Sequence, residues 1–256
     1  MLLAINCGNT NVTFAVYDGE NQRGVWRAAT EPRRTADEYM VWLKELMALE
    51  GIRPMDIDGA IIAIVVPDAL FALKGLCRRY FACDPLVIGE DDCRLGIEAK
   101  VDHPAEVGAD RLVNSVASHS RYQGPLIVVD FGTATTFNVI SKDNEFLGGA
   151  ISPGLFTCAE ALFQRAAKLP RVEFVRPRMA IGSSTVEAMQ SGLYYGYAGL
   201  VDAVIEQMLE GMSPVSRIVA TGGLAPLIAE ASKYIDAIDE TLTLDGLRIV
   251  YERVSI

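Results

Sequence analysis

The sequence is poor in the side chains from which transition-metal centres and disulfide frameworks are built. Among 256 residues it has two histidines, His103 and His119, and five cysteines, Cys7, Cys77, Cys83, Cys93 and Cys158. An odd cysteine count with no C-x-x-C pair argues against a disulfide scaffold and a zinc knuckle, and predicts free thiols. Histidines so few and so far from the cysteines build no nitrogen–sulfur site, which leaves oxygen ligation of Mg²⁺ or a monovalent cation open. Long apolar runs are missing as well. The longest, such as 60–66, fall far short of the ~20 residues a bilayer requires, and no basic segment precedes an apolar one at the start, so no membrane partner and a cytoplasmic location are expected. Excess positive charge is also absent: the formal net charge is −10 and the pI about 4.8. With Lys and Arg scattered, no nucleic-acid surface is expected. No linker, low-complexity segment or charge block sets off a mobile domain.

What the chain does have is apolar content, 50% hydrophobic residues, enough for one large or two moderate domains. It also has one pattern used twice. Leu2-Leu3-Ala4-Ile5-Asn6-Cys7-Gly8-Asn9-Thr10-Asn11 is echoed by Leu126-Ile127-Val128-Val129-Asp130-Phe131-Gly132-Thr133-Ala134-Thr135-Thr136. In each copy a buried-strand run leads to a polar carbonyl-bearing residue, a glycine, small hydroxyl or amide residues and a second apolar stretch. Each copy predicts strand, tight turn, strand. Gly8 and Gly132 are expected to take turn geometries closed to other residues and to leave backbone N–H groups uncovered, which makes a phosphate cradle. A duplicated α/β architecture follows, with a nucleotide held between two phosphate hairpins.

Taken in order, Thr35-Ala36-Asp37-Glu38 predicts a capping box and a helix ending near Gly51. Residues 58–66 predict a buried strand, Pro67 opens a helix, and 85–89 is a further strand. Strands alternating with helices predict crossover units and a largely parallel sheet. Residues 102–111 lead into a helix. There Asp110 is either a first-turn charge paired locally with Arg111, or one half of a carboxylate–guanidinium pair suited to substrate capture and proton abstraction. Residues 148–154 predict a loop before an amphipathic helix. Ser184-Thr185-Val186-Glu187 predicts a second capping box and a long helix through Met208, and 218–223 a strand ending in a glycine turn, placed to lie against a base and ribose.

These blocks together resemble the type III pantothenate kinases of the acetate and sugar kinase, Hsp70 and actin superfamily. The resemblance runs through Gly8-Asn9-Thr10-Asn11, Glu106-Val107-Gly108-Ala109-Asp110-Arg111, residues 130–136, Gly148-Gly149, Pro153-Gly154, residues 185–192 and Ala220-Thr221-Gly222-Gly223. It implies duplicated actin-like, ribonuclease H-like domains, each a mixed sheet flanked by helices. They cover about 1–120 and 121–256, with the terminal helix able to pack back on the first. It implies a homodimer that transfers the ATP γ-phosphoryl to pantothenate in the first committed step of coenzyme A synthesis, using Mg²⁺ and a monovalent cation, potassium or ammonium. By the same resemblance Asp110 is the proton acceptor, and Val101, Gly108, Ala109, Asp110, Arg111 and Thr185 contact pantothenate. Asp130 holds the cation, and the stretch from Asn6 to Thr13 (Val12 included) together with Thr133 contacts ATP.

The chain departs from the family pattern in places. Asn6 stands where the family has an aspartate that helps place Mg²⁺ and the phosphates. Val12-Thr13 reverses the usual order and so moves the hydroxyl to the other face of its strand. Val101 replaces a frequent tyrosine, and Asn138 a frequent aspartate. The loss of charge at Asn6 sets an attenuated kinase beside the alternative of a weakened nucleotide-binding homologue with a regulatory role. A kinase for another small hydroxylated substrate is a third reading.

Overall fold

The computed structural model describes residues 1–90, 93, 95–212 and 214–254. The apolar run Leu2–Cys7 forms β1, which returns antiparallel as β2 (Asn11–Asp18) and again as β3 (Asn21–Ala29). Helix α1 (Ala36–Leu49) starts on Thr35, whose hydroxyl accepts the Glu38 N–H while the Glu38 carboxylate accepts the Thr35 N–H, so the capping box forms. β4 (Gly59–Ile64) is followed by α2 (Pro67–Tyr80), with proline in its first turn, and by β5 (Leu86–Val87). The first sheet has the order β3-β2-β1-β4-β5, with β1, β4 and β5 parallel. It is mixed rather than largely parallel, because short turns join β1 to β2 and β2 to β3, and only antiparallel neighbours accept such turns.

The second half repeats the plan. After β6 (Glu98–Ala99) and α3 (Ala109–Tyr122) come β7 (Leu126–Phe131), β8 (Ala134–Ile140) and β9 (Glu145–Pro153). These strands form an antiparallel meander like the first three. Helices α4 (Leu155–Arg165) and α5 (Thr185–Glu210) lead to β10 (Arg217–Thr221), α6 (Ala225–Ala229), β11 (Ala237–Ile238) and α7 (Leu242–Val254). The sheet order is β11-β10-β7-β8-β9-β6, with β10 parallel to β7 as β4 is to β1.

Two expectations change here. Residues 148–153 are not a loop but the second half of β9, paired with β8. Their glycines mark a register shift, where Gly148 takes φ +109°, a backbone state that favours glycine. The box at α5 is also only half formed. The Ser184 hydroxyl accepts the Glu187 N–H, but the Glu187 carboxylate takes the N–H and hydroxyl of Ser183 instead.

The chain divides into two compact units, one of Met1–Glu98, Asp102–Ala117 and Leu242–Ile256, the other of Ala99–Val101 and Ser118–Thr241. In the first, β1 is buried on both faces. Leu3, Ile5 and Cys7 join the core under α1 and α2, while Leu2 and Ala4 join the core under α3 and α7, as the two-residue alternation of a strand requires. In the second unit Ile127, Val129 and Phe131 of β7 pack with Tyr197, Val201 and Ile205 of α5.

Helix α7 is seated by polar and steric detail. The Tyr17 hydroxyl donates to Asp245 (2.9 Å) and accepts from Gln22 (3.0 Å). A Cβ at Gly246 would stand 2.5 Å from the Val113 carbonyl oxygen of α3. Neither backbone has room to yield, so Gly246→Ala is expected to cost about 1–3 kcal/mol by overpacking. That amounts to a Tm several degrees lower, measured by thermal unfolding followed by circular dichroism.

Candidate active site

The two turns occupy matching positions. Asn6 lies opposite Thr13 on β2 and Ala63 on β4, and Asp130 lies opposite Thr136 on β8 and Thr221 on β10. Asn6 and Asp130 are thus equivalent residues, each next to last on a central strand and half-exposed. The reversed Val12-Thr13 order has a clear outcome: Val12 is buried in the core, and Thr13 is the residue paired with Asn6. The Cys7 side chain is also in the core, where burial pushes its thiol up to about 11. Of the residues expected to meet a nucleotide, Cys7 and Val12 therefore have only backbone to offer. Asn9, Thr10 and Asn11 are exposed at the turn.

Neither Gly8 nor Gly132 takes a left-handed φ, contrary to expectation. Their N–H groups close the turns on the carbonyls of Asn11 (3.0 Å) and Ala134 (3.1 Å). Both N–H groups are thus taken up inside the turns rather than left uncovered. The positions that demand glycine lie elsewhere and press on the second turn. A Cβ at Gly154 would stand 2.4 Å from the carbonyl oxygens of Gly132 and Thr133. One at Gly222, φ +90°, would stand 2.6 Å from the Phe131 oxygen and 2.7 Å from Asp130 Oδ1. The glycine turn after β10, expected against base and ribose, therefore packs on the Asp130 carboxylate.

Asp110 sits in the first turn of α3, where its Oδ1 accepts the Arg111 N–H at 2.8 Å. Burial pushes its carboxyl above the ordinary range, against the opposing pull of the Arg111 N–H and charge. Burial in turn pushes the Arg111 guanidinium down, with the Asp110 charge acting the other way. The local pairing with Arg111 is therefore present, and the raised pKa of a desolvated carboxylate is also what a proton acceptor requires. Gly108 makes room for it: a Cβ there would stand 2.7 Å from Asp110 Oδ1. Asp110, Arg111, Gly108 and Asn6 belong to the first unit, and Val101, Asp130, Thr133 and Thr185 to the second. Val101 is next to Gly148, whose missing Cβ would touch Val101 Cγ1 at 3.6 Å. Thr185 is exposed and lines an open, mainly apolar pocket of about 420 Å³ with Leu162, Leu169, Ala188, Met189, Gly192 and Leu193. Among the described residues no three His, Cys, Asp or Glu side chains are grouped to hold a metal ion.

Several residues that brace the turns were missed in the sequence. The Thr30 hydroxyl donates to the Gly8 carbonyl (2.6 Å) and its N–H to the Thr10 carbonyl (2.9 Å). The Thr157 hydroxyl donates to the Thr133 carbonyl (2.8 Å), which also accepts the Gly154 N–H (3.0 Å). The Tyr197 hydroxyl bonds Thr135 and donates to the Pro153 carbonyl. Only the small-residue run 152–154 hinted at any of this, and it pointed to a loop.

The family model described as type III pantothenate kinase matches residues 2–207. A type III pantothenate kinase of Paramagnetospirillum magneticum is 56% identical over 255 residues, covering 100% of this chain and 98% of its own. One from Rhodospirillum rubrum is 55% identical, covering 99% and 98%. An inorganic polyphosphate/ATP-glucomannokinase from Arthrobacter superposes with a TM-score of 0.50 at 13% identity, covering 99% and 98%. That likeness speaks for the fold, the duplicated actin-like plan of the sugar kinases.

The Gly108 contact generates a test. Gly108→Ala is expected to fold, because the crowded atom is the end of a side chain, but to turn the Asp110 carboxylate away. A displacement of about 1 Å can cost ~10²-fold, so turnover should fall on that order while Tm stays within a few degrees, measured by steady-state kinetics and thermal unfolding.

Proposed function

The chain belongs to the type III pantothenate kinase family, and from that premise we propose how its residues divide the reaction. The reaction is transfer of the ATP γ-phosphoryl to the hydroxyl of pantothenate, giving 4′-phosphopantothenate, the first step of coenzyme A biosynthesis. The observation that carries it is identity of more than half over the full chain with pantothenate kinases. The regulatory alternative raised by Asn6 finds no support among these relatives.

In our reading Asp110 accepts the proton of the substrate hydroxyl as it attacks. Its desolvated carboxylate suits this role, and the Arg111 N–H holds it in one orientation. Phosphoryl transfer leaves the protein mainly positioning and charge stabilisation. The backbone of both turns serves the phosphates, with the Asn6 amide, Thr10, Thr13 and Thr133 as polar side chains. Gly108 to Arg111, Val101 and Thr185 contact pantothenate. A divalent metal accompanies ATP; with no carboxylate cluster among the described residues, it suits Mg²⁺ bound chiefly through phosphate oxygens. Asp130, hemmed in by Gly222, offers the hard oxygen that a monovalent cation, potassium or ammonium, takes.

The same reading makes the enzyme a cytoplasmic homodimer; no described helix is long and apolar enough to cross a membrane. Positions 192, 196 and 199 of α5 support pairing. A Cβ at any of these glycines would meet nothing within 4 Å, and Tyr195 beside them is 45% exposed. Such a face lets a second backbone approach closely under two-fold symmetry.

Two substitutions test the assignment. Asp110→Asn is expected to lower kcat by ~10²–10⁴-fold with ATP affinity nearly unchanged; an equal loss of ATP affinity would place Asp110 with the phosphates instead. The base works ionised, so its raised pKa moves the acid limb of the kcat/KM profile above the ordinary carboxylate range, and activity falls as pH drops through it. Asn6 keeps the size of aspartate but offers no anion. A hydrogen bond to a charged group is worth ~1.5–3 kcal/mol, so Asn6→Asp is expected to raise turnover at least about tenfold, with Mg²⁺ required before and after. A variant no faster than the parent in an ATP-consumption assay would remove Asn6 from the phosphate machinery.

A further inference from the structure

We propose that Thr30 and Thr157 are positioning residues that set the direction of the phosphate-turn peptides from behind, the same device installed once in each repeat. In a planar trans peptide the carbonyl and the following N–H point in opposite directions. Whatever fixes a turn carbonyl therefore also aims the next N–H. The Thr30 hydroxyl draws the Gly8 carbonyl toward β3, so the Asn9 N–H of that peptide is directed away from β3. The Thr30 N–H does the same to the Thr10 carbonyl, directing the Asn11 N–H. In the second repeat the Thr157 hydroxyl and the Gly154 N–H both hold the Thr133 carbonyl, directing the Ala134 N–H away from the start of α4.

The two braces share a design. Each comes from just past the third strand of the meander and combines a backbone N–H with a threonine hydroxyl, acting on two turn carbonyls, Gly8 and Thr10, in the first repeat and on one, Thr133, in the second. Without such a brace a tight-turn peptide can rotate and present its carbonyl lone pairs, which repel a phosphate, in place of its N–H. Thr30 is half-buried and Thr157 exposed, so water competes more for the second hydroxyl, and the first brace should matter more.

This proposal rests on the reading of both turns as phosphate-binding, and its test separates the two. Thr30→Val keeps the shape and the backbone bond to Thr10 but removes the hydroxyl; Thr30→Ser restores it. One ordinary hydrogen bond corresponds to roughly three- to tenfold in affinity. We expect Thr30→Val to raise KM for ATP and the Kd for ATP in a calorimetric titration by about that factor. KM for pantothenate and Tm should be nearly unchanged, Thr30→Ser should return to the parent values, and Thr157→Val should show a smaller shift of the same kind. Unchanged ATP affinity in both valine variants overturns the proposal, as does a lowered Tm without any change in KM for ATP, or a serine variant as impaired as valine. If the parent binds ATP but leaves pantothenate unphosphorylated, the kinase reading fails, and the titration still decides the role of Thr30.

Discussion

Burial of β1 on both faces, repeated largely in β7, is the constraint on which the rest of the molecule depends. Leu2 to Ile5 and Leu126 to Val129 are buried, so neither strand tolerates a polar side chain until its cover ends. The first polar residue then emerges at the strand's carboxyl end, as Asn6 in one repeat and Asp130 in the other. Gathered at that end are the turn that follows, the cross-strand threonine, and the parallel neighbour that leads into a helix. Ligand sites outside strand carboxyl ends are a general consequence of this architecture.

The two repeats are alike in backbone and unlike in charge. Thr13 and Thr136 take the same place opposite the emergent residue, and both turns have their carbonyls held from the end of the third strand. Only the second has a carboxylate, and there Gly222 and Gly154 close in so tightly that a methyl group would clash with backbone. The base of the second turn is thereby packed on two sides by backbone, while the tips of both turns, Asn9 to Asn11 and Gly132-Thr133, lie exposed.

Asp110 draws its character from its position rather than from its type. A first-turn aspartate on an exposed helix would be held low by the helix dipole; here desolvation overrides that tendency. Gly108 is part of the same solution, since any side chain there would compete for the space of the carboxylate.

How much was legible in the sequence depended on whether the information was local. The strand–turn–strand repeats, the Thr35 box and the opening of α2 at Pro67 rest on period, capping and the restricted φ of proline, which act between neighbours in the chain, and they appear as expected. The half-formed box at α5 turned on which of two adjacent serines the Glu187 carboxylate selects, a choice left open by spacing. The strand at residues 148–153 was hidden because its glycines serve a bulge, which looks like a loop until β8 supplies the partner. The sequence by itself determined the duplicated plan, the two polar residues at the ends of the central strands and the family pattern around Asp110, because each is written in contiguous residues. Only the tertiary structure decided that Val12 belongs to the core and Thr13 to Asn6, that Gly154 and Gly222 rather than Gly8 and Gly132 are sterically required, and that Thr30 and Thr157 brace the turns. Those facts depend on close approach between segments far apart in the chain, a distance that no local pattern encodes.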